Sequence, residues 1–294
     1  MHRFLGSIGF LRCESVKKEK MLLDEVMHYA NKKLMISDPN DENSQLAELS
    51  LDFGTDFGIT VCGTYDAEDH FHIKHYFPYL NANSVTTSEE TFFNRHCASE
   101  ALGGLCEDYH LGVSMIYFIR NGIELLRNVG PKEHSISVPV KISCLASDGT
   151  ILLPAMKTSE DVKKAAADHR NQSHMIAEAK GGDQEAIEKL TMREIDTMES
   201  IGRRIKNEDL FSVVDTSFIP HGIDSELYRI LGIILSCEEH VNALTEQIVY
   251  VMDIFCNGLA FSLCINKECL LGEPAVGRRI RAVVWLQGEM VFNE

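Results

Sequence analysis

The chain has 294 residues, with 28 Lys and Arg against 44 Asp and Glu, and a formal net charge of −16 at pH 7. That length predicts about two domains, and 45% hydrophobic with 24% charged residues is the balance of a soluble globular protein. An acid excess of this size repels a phosphate backbone, which excludes nucleic acid as the expected partner; no apolar run reaches the roughly 18 residues of a membrane span.

The start, Met1-His2-Arg3-Phe4-Leu5-Gly6, lacks the long apolar core of a secretory signal. Nine scattered cysteines are then expected to be reduced thiols in a cytoplasmic setting. In chain order, Ser15 to Met35 reads as a helix with Leu22, Val26, Tyr29 and Ala30 on one face. Leu46 to Phe53, Phe57 to Tyr65 and His70 to Leu80 read as strands. Ser88-Glu89-Glu90 predicts a helix to about Leu102, stopped by Gly103-Gly104. Gly112 to Arg120 is apolar enough for a buried strand. Ser135 to Leu145 and Thr150 to Leu153 predict a hairpin around Ser147-Asp148-Gly149.

The stretch 157–207 changes period. Val162, Ala166, His169, Ser173 and Ile176 recur at helical spacing, Gly181-Gly182 interrupts, and Asp183 caps a short second helix with Ala186, Ile187 and Leu190. Thr191 to Glu194 has capping-box spacing ahead of Ile195, Met198, Ile201 and Ile205. This stretch is electrically neutral, and the acid excess is shared by its flanks. No second copy occurs at a repeat period, which favours a helical connector.

Beyond it, Phe211 to Ile219 and Leu227 to Cys237 read as strands. Asn257-Gly258 is the strongest hairpin signal in the chain, because both residues tolerate the positive φ of a tight turn. It sets Cys256 opposite Leu259, Ile254 opposite Phe261, Met252 opposite Leu263 and Asp253 opposite Ser262. Arg278 to Leu286 adds a strand, with Gln287-Gly288 expected to turn the chain into Met290 to Phe292. The fold class expected is α+β: a mixed domain over 1–156, a helical connector over 157–207, and an antiparallel β-barrel or sandwich over 208–294.

Few residues carry chemistry at recognisable spacing. His70-x-His72, beside Asp66, Glu68 and Asp69, is the densest set of metal-ligand types and puts both imidazoles on one strand face. Two ligands fall short of a structural zinc site, so a divalent metal there is an alternative and no cofactor is the expectation. His96-Cys97 with Asp108-x-His110 contains the residue types of a thiol–imidazole pair, without an oxyanion pocket in view. Asp52-Phe53-Gly54 and Asp56-Phe57-Gly58 repeat a kinase tripeptide, yet the other kinase elements are absent and these read as turns. Glu273, Arg278 and Arg279 form a candidate ligand or partner contact, with Trp285 as a core anchor. Adjacent strand residues point to opposite faces, so one arginine at most would serve a given pocket.

Met1-His2-Arg3-Phe4-Leu5, Tyr76-Phe77-Pro78-Tyr79, Val214-Asp215-Thr216 with Pro220-x-Gly222, and Gly272-Glu273-Pro274 through Gly277-Arg278-Arg279 to Trp285-Leu286-Gln287-Gly288 carry a likeness. They resemble an uncharacterised domain-of-unknown-function family of cytosolic proteins from gut Clostridia, over essentially the whole chain. The resemblance implies a bacterial cytosolic protein and brings no activity, ligand or catalytic residue. A non-enzymatic binding or adaptor protein, with a protein as candidate partner, is the functional expectation. The alternatives are a metal-dependent hydrolase at the His70/His72 face and an acidic immunity-type protein that neutralises a basic toxin.

Overall fold

Strand pairing dominates the described chain. The computed structural model describes residues 2–13, 15–38, 41–95, 101–108, 111, 114–129, 133–153, 183–185, 187–189, 191–192, 214–222 and 226–292. By packing, Met1–Leu152 joins Thr216–Glu294 in one unit, and Leu153–Asp215 forms another.

In the first unit a helix, α1 (Val16–Tyr29), is capped by the Ser15 side chain, which accepts from the Lys18 N–H. Four antiparallel strands follow as one sheet: β1 (Lys32–Asp38), β2 (Asp41–Asp52), β3 (Phe57–Tyr65) and β4 (Phe71–Leu80). The helix expected to reach Met35 therefore stops at Tyr29. Asn31 N–H bonds to Ser50 O at 2.9 Å, and Lys32 pairs with Ser50 as the chain enters β1. Lysines suit that position, since β1 is an edge of its sheet.

The predicted helix from Ser88 is replaced by β5 (Thr91–Arg95) and β6 (Leu102–Cys106), which pair antiparallel; residues 96–100 lie outside the described ones. Thr91-Phe92-Phe93 is β-branched and aromatic, and strand pairing overrides the capping signal before it. Gly103-Gly104 is no helix stop: a Cβ on Gly104 would stand 2.6 Å from the Tyr117 ring. Next come β7 (Met115–Ile119), the short helix α2 (Gly122–Asn128), and β8 (Ser135–Ile136).

β9 (Val140–Leu152) runs unbroken where a hairpin was expected. Opposite it, Val284 pairs with Ala146 and Val283 with Asp148, so Ser147 is a bulge residue and not a turn. The remaining strands are β10 (Ser217–Pro220), β11 (Leu227–Val241), β12 (Ile248–Cys256), β13 (Leu259–Asn266), β14 (Leu270–Leu271) and β15 (Arg279–Met290). The Asn257-Gly258 turn has φ of 46° and 86°, and all four cross-strand pairs expected around it are present. β15 continues through Gln287-Gly288 without turning.

Five strands close a barrel in the order β11, β12, β13, β9, β15 and back to β11. The barrel is mixed and not antiparallel, because β9 lies parallel to β13. One of its strands precedes the central stretch in sequence, so the barrel is not built from 208–294 alone. Met252, Ile254, Phe261, Leu263, Ile142, Cys144, Ile230 and Leu286 are among its fully or almost fully buried core. Past Trp285, β15 stays paired with β9 and its other edge pairs parallel with β7 in place of β11, extending the sheet through β6, β5 and β8. The described part of the protein is mostly β with few helices.

Gly288 lies against Tyr117, which is fully buried and hydrogen-bonded to Thr91 at 2.9 Å. A Cβ there would overlap the ring. Gly288→Ala is expected to cost about 1–3 kcal/mol by overpacking, measured as a lower urea midpoint; an unchanged midpoint would contradict this packing.

In the second unit, the described residues of the central stretch are helical apart from Asp183. The Asp183 carboxylate accepts from Glu185 N–H at 2.9 Å, the capping role expected of it. Thr191 Oγ1 donates to Ile187 O at 2.9 Å. The rest of the predicted connector, with Glu194 of the capping box, lies outside the described residues.

Candidate functional site

The four-stranded sheet has one apolar face and one that mixes polar side chains with buried Cys62, Phe77 and Tyr79. Leu49, Leu51, Ile59 and Val61 share one face, and Leu51, Ile59 and Val61 belong to the apolar cluster that holds Leu22, Leu23 and Val26 of α1. Glu48, Ser50 and Asp52 of β2 share the other with Thr60 and Cys62 of β3 and with His75, Phe77 and Tyr79 of β4. Strict alternation along β2 makes this so. Burial deepens along it, from exposed Asp52 through half-buried Ser50 to Glu48 at 9%.

The polar face is covered by residues just past β7 and at the end of β15. Arg120 follows β7 and bonds through its N–H to Gly288 O at 2.9 Å. Its side chain is only 8% exposed. Nη1 donates to Asn81 Oδ1 at 3.0 Å, Nη2 pairs with Glu289, and the guanidinium carbon sits 5.6 Å from the Tyr79 ring centre. Nε is buried and has no hydrogen-bond acceptor among the described residues. Burial pushes the guanidinium pKa down and Glu289 pulls it back up; Arg120 stays charged.

Around it, Tyr79 donates to Asp52, which also accepts from Asn31 Nδ2 at 2.6 Å. Burial and the Asp52 carboxylate push the phenol pKa far up. Asn121 bridges Met290 in both directions and donates to Glu124 at 2.9 Å. Gln287, fully buried, donates to Pro78 O at 2.7 Å and ties β15 to β4. Glu48 accepts from Ile123 N–H at 3.1 Å. Burial raises its pKa to about 7 against that hydrogen bond and the nearby Lys32.

Two hollows adjoin this cluster. One of about 150 Å³ is polar and includes Asp52, Tyr79, Asn81, Asn121 and Glu289; the other, about 100 Å³, includes Cys62, His75 and Phe118. Glu48, Phe77 and Arg120 line both.

The residues singled out by spacing lie elsewhere. His70 and His72 flank the start of β4 and are exposed. Both turn to Asp66: His72 Nε2 lies 2.8 Å from its carboxylate and His70 Nδ1 3.7 Å. Asp66 also accepts from the N–H groups of Glu68 and His70 at 2.9 Å each, closing the turn in which Asp69 takes φ 64°. The His72 hydrogen bond and those N–H donors hold its carboxyl down at about 2. Among the described residues no three His, Cys, Asp or Glu side chains are grouped to hold a metal ion.

Arg278 donates to the Glu273 main-chain oxygen at 2.7 Å, bracing its own loop. Arg279 is buried at 6% at the start of β15, paired with Leu152 and Ile233. Arg278 lies in the loop before β15, so the strand alternation expected of the two arginines does not apply to it. Trp285 is buried and stacks with Phe4 at 5.7 Å, an anchor in a continuous strand and not in a hairpin. His96, Cys97 and His110 lie outside the described residues, while Asp108 is buried and accepts from Thr87 at 2.9 Å. All eight described cysteines are free thiols, and burial pushes each pKa up.

A larger groove of about 650 Å³ runs between α1 and the loop joining β11 to β12, with Phe10, Met21, Leu22 and Ile248 in its wall. Arg12, Lys18, Glu25 and Glu268 also line it. No described helix is long and apolar enough to cross a membrane.

No curated protein and no solved structure matches the chain. Residues 5–288 match the family described as "Domain of unknown function, E. rectale Gene description (DUF3881)", and the chain belongs to that family.

Proposed function

We propose that this is a non-enzymatic binding protein that holds a small polar ligand in the cleft between the polar sheet face and Arg120. The observation that carries the reading is Arg120: a buried guanidinium lining two hollows, with an Nε–H that no atom of the described residues accepts. An unused buried donor costs free energy that a ligand oxygen would return. The bacterial cytosolic setting expected from the sequence belongs to the same proposal.

A thermal-shift screen of small metabolites is the test, run on wild type and on Arg120→Lys. Lysine keeps the charge and loses the planar fork with its Nε donor. Hits are expected to bind the variant at least about tenfold more weakly, roughly 1.4 kcal/mol. No hit, or equal binding by the variant, would sink the proposal.

A second reading follows from Glu48, whose pKa of about 7 is that of a general acid or base. It makes the cleft an active site. Recovery of the bound compound unchanged after long incubation separates the binding protein from the enzyme.

A further inference from the structure

This inference rests on the proposed cleft and names its occupant. We infer that the ligand is a small zwitterion of the α-amino-acid type, its carboxylate on the Nε edge of Arg120 and its ammonium on Glu48.

Three features of the site converge on it. Arg120 already gives Nη1 to Asn81 and Nη2 to Glu289, and its buried Nε has no acceptor among the described residues, so the inferred carboxylate takes that edge. Carboxylates bind guanidinium side-on through such an edge, and Nη2 has a second hydrogen to share. Glu48 lines the same two hollows and uses Oε1 for Ile123 N–H, which leaves its carboxylate with further lone pairs for an ammonium.

Charge balance decides against a bare anion. Glu289 already neutralises Arg120, and Asp52 and Glu48 add acid to the same space, with Lys32 as the other base lining it. A phosphate or dicarboxylate would face that surplus. A molecule that brings its own positive charge does not. Size then narrows the class: about 150 Å³ is the volume of a cavity that accommodates benzene, about six heavy atoms. Glycine, alanine and serine are of that order, with Leu34 and Phe77 as the apolar wall for a short side chain.

Calorimetry on the full chain tests this with glycine, L-alanine, L-serine, L-phenylalanine, propionate, ethylamine and inorganic phosphate. The small amino acids are expected to bind, with propionate, ethylamine and phosphate at least about tenfold weaker and phenylalanine excluded. Glu48→Gln should lose the preference of alanine over propionate, and Arg120→Lys should weaken both. Because Glu48→Gln keeps the Ile123 hydrogen bond and removes a buried ionisable group, it is the variant expected to fold whatever Arg120→Lys does. Propionate or phosphate binding as tightly as alanine would overturn the zwitterion and leave the cleft standing. So would an Arg120-dependent hit from the metabolite screen with no amino-acid binding. If nothing binds, cleft and zwitterion fall together.

Discussion

Glu48→Gln is expected to leave stability nearly unchanged at pH 4 and to raise it by up to about 3 kcal/mol at pH 8. Burial at the foot of the sheet lifts the Glu48 pKa from its ordinary 4.5 to about 7. Between those values the unfolded chain has released its proton while the folded chain still holds one. Stability contributed by protonated Glu48 is therefore full below pH 4.5 and declines as pH rises through 7, where the folded carboxyl ionises. The charged groups that act on it are Lys32 from β1, which lowers the pKa, and Glu124 from α2, which raises it; Cys62, His75 and Arg120 line the same hollow. Glutamine keeps an acceptor for Ile123 N–H and carries no charge, so it escapes the penalty. Urea titrations of both proteins from pH 4 to 8 read the difference. An offset that does not change with pH would show that Glu48 does not ionise in a buried site.

Arg120→Met is expected to cost about 3 kcal/mol, because removing one partner of a buried ion pair strands the other. Methionine keeps most of the stem volume, so the loss is electrostatic and not a cavity. Glu289 is 32% exposed and reaches some water, which holds the cost toward the lower end of the range for buried pairs. The Asn81 carbonyl also loses its donor. Adding Glu289→Gln should recover about half of the loss, since the second substitution removes the stranded charge. A double variant no more stable than Arg120→Met alone would contradict the pairing. An Arg120→Met midpoint equal to wild type would show that the guanidinium is not buried in solution.

The parts of this fold set by local chemistry were readable before the structure. Asn257-Gly258 needs positive φ at both residues, and that alone fixes eight side chains in register across β12 and β13. Ser147-Asp148-Gly149 and Gln287-Gly288 were also expected to turn, on their glycines, and lie within strands. There the small residues admit a bulge and the face of Tyr117, contacts made by chain far away in sequence. The barrel was only half visible for a related reason. β9 joins β13 and β15 across more than a hundred residues, and no periodicity in β9 announces a parallel partner.

The cleft was hidden by its own alternation. Glu48-Leu49-Ser50-Leu51-Asp52 reads as a strand with one wet face, and the polar residues do share a face. What the pattern omits is the cover: Arg120, Asn121 and Glu289 arrive from beyond β7 and from β15. Dense, local clusters such as His70 and His72 attract notice by spacing, yet their polar groups are met by Asp66 in an exposed turn. A site assembled from three distant segments leaves no such spacing.

Whether Arg120 faces a ligand is read most simply from a crystal structure of the full chain with the tightest compound from the metabolite screen. A ligand oxygen is expected about 3 Å from Arg120 Nε, between the polar sheet face and β15. A compound seated instead in the groove beside α1, with Nε bonded to a protein acceptor, would contradict it.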